Sequence, residues 1–234
     1  YYCTGDLNQL QPIGNSNYRL DNMKQYLKKC IDIMFPNNIV LTINKRLKKV
    51  EDRKKLENLM IDIFDTKIDI IDTFKKYGFR MIDKMSDVKT KKNITFFNFR
   101  RNIVNNYVFK HLVEKPTKKL FTFGDRQLWK GFELTCICHH KINNTMRLYK
   151  NYKYTLENVN EKTITIKDID TKDVIHLENT PQNIKRFELP YSSTCYSVQG
   201  TSIEEKITIF DTNIPYSSRE WVWTSITRAK YFDN

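Results

Sequence analysis

The chain has 234 residues, 40% of them hydrophobic and 13% aromatic, with 40 Lys and Arg against 27 Asp and Glu, a formal net charge of +13. That length can bury a sizeable core, and no apolar run approaches the ~18 residues of a membrane span, which leaves no membrane partner to expect. Five cysteines, an odd number without framework spacing, argue against a disulfide-stapled secreted domain and point to an intracellular, reducing compartment such as cytoplasm or nucleus. The positive field makes nucleic acid the first partner to test, against a basic surface that serves only solubility.

The chain opens Tyr1-Tyr2-Cys3-Thr4-Gly5, without methionine and as if in the middle of a buried strand, so a fragment of a longer protein is expected. Gly5 to Gly14 reads as a loop, with Pro12 stopping regular structure. Helical spacing places a helix over Leu20–Met34. Pro36-Asn37-Asn38 breaks it, and Ile39-Val40-Leu41 forms a short strand leading to Arg46. Two further helices are expected, Glu51–Phe64 and Lys67–Tyr77, the second ended by Gly78. Ile94–Phe97 reads as a strand and Asn98–Leu112 as a helix with Ile103, Val104, Tyr107, Val108 and Leu112 on its apolar stripe. Strand, loop and helix in this alternation indicate an α/β fold with a mainly parallel sheet.

Between about Lys115 and Pro190 the segments become short, β-branched and aromatic: Phe132–Cys138, Tyr152–Val159, Thr163–Ile169 and Asp173–Leu177. They predict a small antiparallel barrel inserted in the α/β domain. The α/β pattern resumes at Tyr191 with a polar loop, the strand Ile207–Phe210 and an aromatic-rich helix carrying Arg228. Ser217 and Glu220 form a capping-box pattern at its start, with Trp221 and Trp223 as packing residues.

Several residues carry candidate chemistry. Gly5 at a strand end lets backbone approach a phosphate. Asp6 can hold a water, a metal-bound water or a base, and Gln9 can sense a terminal phosphate; an ordinary turn would present the same residues. Arg46 and Arg228 offer planar, permanently charged forks suited to phosphate oxygens, although any single arginine is more often a surface residue. Thr194, Tyr196, Ser197 and Gln199 form a polar loop suited to sugar-phosphate contacts, with Tyr196 also able to stack on a base; a plain surface loop is the competing reading. On a strand, Cys136, Cys138 and His140 would share one face, but a structural zinc site needs four ligands and no second pair exists, so a barrel strand is favoured and no metal site is expected. No GxxxxGK[ST] occurs, so the chain lacks a phosphate-cradling P-loop.

Taken together, these residues resemble the superfamily 1 helicases. GDLNQLQPIG is similar to their motif III, LTINKR (Leu41 to Arg46) to motif IV, ITFFNFRRNIVNN (Ile94 to Asn106) to the second-domain strand and helix with a T-N core, TCYSVQGTSIEE to motif V and WVWTSITRAK to motif VI. The β-rich segment falls where the RecD-like and PIF-type members, superfamily 1B, carry an SH3-like insert, and LWKGFELTCICHH with NYKYTLENV resembles its opening. Two positions depart from the family: Tyr196 stands where a His is common, and Ser197 where a Lys or similar is common.

The resemblance implies a RecA-like P-loop NTPase fold, here the second helicase domain with its mainly parallel sheet and the inserted antiparallel β-barrel. Residues 1–18 would end the first RecA-like domain, 19–114 and 188–234 would form the second, and 115–187 the insert. It implies the C-terminal motor half of an ATP-dependent DNA helicase, moving 5′→3′ on single-stranded DNA or a forked duplex, in replication or repair. Gln9, Arg46 and Arg228 would be catalytic, Asp6, Gly200 and Glu204 would lie at ATP, and Thr95, Asn98, Thr194, Tyr196 and Ser197 would contact the strand. ATP and Mg2+ would be held mainly by an upstream RecA-like domain of the same polypeptide, so this chain alone would be inactive. The Lys, Asn and Ile richness fits an AT-rich genome, as of a large DNA virus, and a viral factory as the compartment. A non-catalytic nucleic-acid-binding module with relict motifs and an RNA helicase of the same superfamily are the alternatives; oligomeric state is not legible.

Overall fold

A computed structural model describes residues 50–116, 119–144 and 146–230, together with Lys29, Ile33 and Met34. The helix over Leu20–Met34, the strand at Ile39 and the loop from Gly5 lie otherwise outside the described residues. The rest divides into two compact units. One comprises the described residues up to Thr90, then Ile94–Phe96 and Thr194 onward; the other comprises Lys91–Asn93 and Phe97–Ser193.

In the first unit, α1 spans Val50–Phe64 and buries Leu59 and Ile63, four residues apart on one face. After it, α2 (Ile70–Lys76) begins at Asp69, whose carboxylate accepts from the amides of Ile71 and Asp72. The expected start at Lys67 is therefore three residues early, because Asp69 caps the helix and cannot also lie inside it. Gly78 ends it as expected, at φ +77°. Its amide donates to Lys75 O and that of Phe79 to Phe74 O, at 3.1 and 2.9 Å. The Phe74 and Phe79 rings meet at 5.3 Å, the apolar contact that accompanies this left-handed helix end.

Three short strands, β1 (Lys92–Thr95), β11 (Ser192–Thr194) and β12 (Ile207–Ile209), form a sheet in the order β11-β1-β12. The mainly parallel sheet expected is thus present only in part among the described residues. β1 stops at Thr95, before the expected Phe97, because the Phe96 amide turns to Asp211 Oδ2 at 3.1 Å instead of to a strand. α5 (Arg219–Ile226) buries six consecutive residues, Trp221 and Trp223 among them. They close a core with Leu59, Ile63, Phe74, Ile94 and Cys195.

The second unit is β-rich. β2 (Leu120–Phe123) and β3 (Arg126–Trp129) form one hairpin, and β5 (His140–Lys141) and β6 (Arg147–Leu148) another. β4 (Phe132–Cys136), β7 (Lys153–Val159), β8 (Thr163–Asp168), β9 (Val174–Glu178) and β10 (Phe187–Glu188) build an antiparallel sheet in the order β10-β4-β7-β8-β9. Alternate residues point inward: Phe132, Leu134 and Cys136 on β4, Tyr154 and Leu156 on β7, Ile164 and Ile166 on β8, Ile175 and Leu177 on β9. The antiparallel expectation holds, and the sheet is a half-barrel: among the described residues no ladder joins β9 to β10. α4 (Pro181–Ile184) is a single turn capped by Thr180, whose hydroxyl accepts from the Asn183 amide.

α3 (Asn98–His111) packs with these strands. Arg101 pairs with Glu188 at 2.6 Å, and Phe109 meets Trp129 and Phe132. Buried Asn105 accepts from the amides of Tyr191 and Ser192 at 3.0 and 2.9 Å. Val104 and Val108 are buried as expected, but Ile103 is 48% exposed. The inward face is set by Asn105, which a purely apolar periodicity does not count.

Candidate functional site

Of the residues singled out, Gln9, Asp6 and Arg46 lie outside the described residues. Thr95, Thr194, Tyr196, Ser197, Gly200, Glu204 and Arg228 belong to the first unit, and Asn98 to the second. Thr95 is fully buried as the last residue of β1. Asn98 is exposed as the first residue of α3, where Phe97 caps without a side-chain hydrogen bond.

The segment after β11 is more ordered than a polar loop. A 3-10 turn forms over Cys195–Val198, and the Ser197 hydroxyl donates to Thr194 O at 2.7 Å, closing it. The Thr194 hydroxyl donates in turn to Ser197 Oγ at 3.3 Å. Cys195 is fully buried against α5, its thiol donating to Trp221 O, and burial pushes that thiol up to about 11. Tyr196 is 40% exposed, with its phenol raised by partial burial. Gly200 then adopts φ +86°, with no atom within 4 Å of where a Cβ would stand. Here glycine serves the backbone turn and leaves the peptide open to close approach. Thr201 folds back, its amide and hydroxyl both donating to Val198 O, at 3.0 and 2.8 Å.

Arg228 joins this loop to the end of α5. It is 1% exposed. Nε donates to Thr224 O at 2.9 Å, Nη1 to Thr201 O at 3.0 Å and Nη2 to the Thr227 hydroxyl at 3.1 Å. The backbones are tied as well: the Ile203 amide donates to Arg228 O and the Lys230 amide to Ile203 O, a parallel bridge between Ile203 and Ala229. Lys230 also ion-pairs with Glu204, whose carboxyl it holds below its ordinary value. Gly200, Glu204 and Arg228 are therefore brought together by the fold although 24 residues separate the last two in sequence. The site combines a fixed guanidinium, an exposed glycine turn and a carboxylate already bound by a lysine. Such a set can hold an anionic group against backbone and cation.

The start of α5 differs by one residue from the capping box expected at Ser217. Ser218 is the N-cap, its hydroxyl accepting from the Trp221 amide at 3.2 Å. Ser217 is engaged elsewhere, donating to Thr212 O at 3.2 Å, which removes it from the capping role. Arg219, the first helical residue, was not singled out by sequence. Its guanidinium donates to the carbonyls of Ile63, Asp65 and Ile68, the last two at 2.9 Å each. α1 has no basic residue in its last turn, so Arg219 supplies the cation that its C-terminus lacks. No local signal could reveal this, since 151 to 156 residues separate the partners.

The shared strand face expected for Cys136, Cys138 and His140 does not form. β4 ends at Cys136, whose thiol is buried and donates to Cys138 O at 3.1 Å, and His140 starts a different strand. Burial raises the Cys136 thiol to about 11. Among the described residues no three Cys, His, Asp or Glu side chains cluster to ligate a metal ion.

No family model matches the chain, and no curated protein matches it by sequence. Solved structures share its fold. A Pif1 helicase from Candida albicans is 12% identical with a TM-score of 0.58, over 97% of this chain and 61% of that one. Pif1 helicases solved to explain unwinding at forked duplex DNA are 13% identical with a TM-score of 0.58, over 98% and 58%. A Bacteroides Pif1 helicase in complex with ADP-AlF3 and single-stranded DNA is 14% identical with a TM-score of 0.54, over 98% and 59%. The chain thus spans about six tenths of the length of these proteins. The likeness is one of fold, a mixed α/β arrangement similar to part of a Pif1 helicase.

Proposed function

We propose that this chain is the C-terminal motor half of an ATP-dependent DNA helicase. The observation that carries the reading is Arg228, fixed at the exit of α5 against the Gly200–Thr201 turn, in a chain folded like part of the Pif1 helicases. On this reading residues 1–18 end an upstream RecA-like domain, 19–114 and 188–234 form the second, and 115–187 are inserted in it.

The described residues fit a phosphate better than a metal. Arg228 donates to two carbonyls and a hydroxyl. A phosphate oxygen is a stronger acceptor for a guanidinium, so on this reading Nη1 exchanges Thr201 O for it when the nucleotide binds. Gly200 leaves the neighbouring peptide open to the same group. Bound Mg-ATP would supply the transferable phosphoryl group, held mainly by the upstream domain with Gln9 and Arg46. Arg228 then balances charge on that group, and Glu204 faces the sugar once Lys230 releases it. Single-stranded DNA would run past Thr194, Tyr196 and Ser197, held through its backbone.

The test uses the polypeptide that carries this sequence together with the residues preceding Tyr1. Arginine fingers contribute about 10³ to 10⁵ in rate. Arg228→Lys keeps a cation on the loop and is expected to cut strand-stimulated ATP hydrolysis by at least about 10³. Wild-type turnover in that variant would sink the assignment. ATP turnover by the purified 234-residue chain alone would sink the division into two halves. Single-strand binding should weaken steeply with salt, as phosphate contacts release counterions.

A further inference from the structure

Where β4 ends, the β-rich unit carries two thiols and a guanidinium in an arrangement that core packing does not call for. Cys136 and Cys138 are separated by a single residue, Ile137. Cys136 is the last residue of β4 and is fully buried. Cys138 lies in a bend just beyond the strand and is half-buried. In a continuing strand the two side chains would stand side by side on one face. Here the chain bends instead, and the Cys136 thiol turns along it and donates to Cys138 O at 3.1 Å. Burial is the main cause that raises Cys136 to about 11, and the neighbouring Cys138 thiol adds to it.

The bend is held from both sides. The Cys136 amide donates to Tyr152 O and the Ile137 amide to Arg186 O, each at 2.9 Å, and Cys136 O accepts from the Asn151 amide at 2.7 Å. Arg186 then returns to the pair with its side chain. Nε donates to Asn183 Oδ1 at 3.1 Å, which orients the guanidinium, and Nη1 donates to Cys138 Sγ at 3.6 Å. The same guanidinium reaches His140, where burial first and its charge second hold the imidazole below its ordinary value.

A cysteine that only fills space needs neither a partner thiol nor a cation. The thiolate is the form that attacks an oxidant, and a cation beside the sulfur marks cysteines that do so. Cys138 has both the cation and the access. Cys136 is closed to solvent, but its attack on a sulfur two residues away is intramolecular, and proximity offsets its low reactivity. The roles divide accordingly: the accessible thiol meets the oxidant and the buried thiol resolves the product.

We infer that Cys136 and Cys138 form an oxidation site, at which a hydroperoxide converts the two thiols to a disulfide. The Cys138 sulfur gives up its proton and attacks the terminal peroxide oxygen. The O–O bond breaks, an S–OH bond forms, and the leaving oxygen takes the proton away as alcohol or water. Cys136 then attacks the sulfenic sulfur. The S–S bond forms, the S–O bond breaks, and hydroxide leaves as water with the Cys136 proton. The thiols together lose two electrons, and the peroxide gains them. A bridge over one residue is strained and therefore readily reduced, so the change is reversible. The site lies wholly in the second unit and is independent of the nucleotide site proposed above.

The reduced full chain is treated with a small excess of hydrogen peroxide, blocked with N-ethylmaleimide, digested with trypsin and read by mass spectrometry. Both thiols fall in one peptide, Gly131–Lys141, bounded by cleavage after Lys130 and Lys141. That peptide is expected to lose two hydrogens and take no maleimide, and glutathione at cellular concentration should restore both labels. The chain unfolded in urea should bridge more slowly by about 10-fold, since the fold supplies the bend and the cation. Cys136→Ser should leave a sulfenic acid on Cys138 that dimedone traps. Arg186→Gln should slow bridging by about 3-fold or more, and Arg186→Lys should recover most of the rate. Thermal melts of the reduced proteins show which variants fold, and the wild-type measurements stand without them. The inference is overturned if the folded wild-type chain forms no bridged peptide, or if the unfolded chain forms it as fast. It is overturned equally if folded Cys136→Ser gives no dimedone adduct at Cys138, or if folded Arg186→Gln bridges at the wild-type rate. A bridge that glutathione leaves intact would replace the reversible site with a structural disulfide.

Discussion

Arg219→Ala removes a single guanidinium from the junction of α5 with the end of α1. Its three acceptors are the carbonyls of Ile63, Asp65 and Ile68, which follow one another where α1 stops. Hydrogen bonds from a charged donor contribute about 1.5–3 kcal/mol each, but three on one group are not additive. Arg219 also brings a cation to this helix end, whose own last turn has none. Together these place the loss at about 3 kcal/mol, a large fraction of the 5–15 kcal/mol typical of a folded domain. With a urea slope of about 2 kcal/mol/M, the unfolding midpoint of the first unit should fall by about 1.5 M. Trp221 and Trp223 lie on the same helix and report that unit once Trp129 in the second unit is replaced by Phe. Arg219→Lys supplies one donor centre for three carbonyls and should recover less than half of the loss. A midpoint for Arg219→Ala within about 0.3 M of wild type would show that water satisfies these carbonyls equally well and would refute the reasoning.

Three further outcomes follow from particular contacts. Asn105→Leu should cost the second unit about 2–4 kcal/mol, because the Tyr191 and Ser192 amides lose a buried acceptor; hydrogen exchange at those two amides should accelerate, and unchanged exchange would count against it. Of the three cysteines among the described residues, iodoacetamide at pH 8 should reach half-buried Cys138 first, while Cys136 and Cys195, both raised to about 11 by burial, react only on unfolding; prompt labelling of Cys195 would contradict its place under α5. His140 binds its proton less readily in the folded chain than the ordinary value of 6.5, so the unfolded state takes up more protons as pH falls. Its contribution to stability is therefore full above that value and lost below it, and melting between pH 7.5 and 5.5 should drop more in wild type than in His140→Gln.

Much of the local architecture was determined by the sequence itself. α2 ends at Gly78 because a left-handed residue is needed there and Phe79 can reach back to Phe74. The sheet of the second unit follows from alternation, with Tyr154 and Leu156, then Ile164 and Ile166, turned to one side. The burial of Trp221 and Trp223 was equally legible, since their size leaves few alternatives to a core. These features depend on neighbours within a few residues, and a one-dimensional pattern records such neighbours.

Only the tertiary structure decided the rest. The capping-box pattern put Ser217 at the start of α5, but Ser217 donates to Thr212 O and Ser218 caps the helix instead. Two-residue periodicity put Cys136, Cys138 and His140 on one face, but it holds only while the strand lasts, and β4 ends at the first of them. Ile103 fitted an apolar stripe until Asn105, paired with backbone 86 and 87 residues away, fixed which face of α3 turns inward. Arg228 was visible as an arginine at the end of a helix, whereas its burial against Thr201 and Thr224 was not. Nor was the reach of Arg219 across 156 residues to Ile63. A side chain's charge and hydrogen-bonding capacity are written in the sequence, but the acceptor it meets is chosen by how distant segments pack.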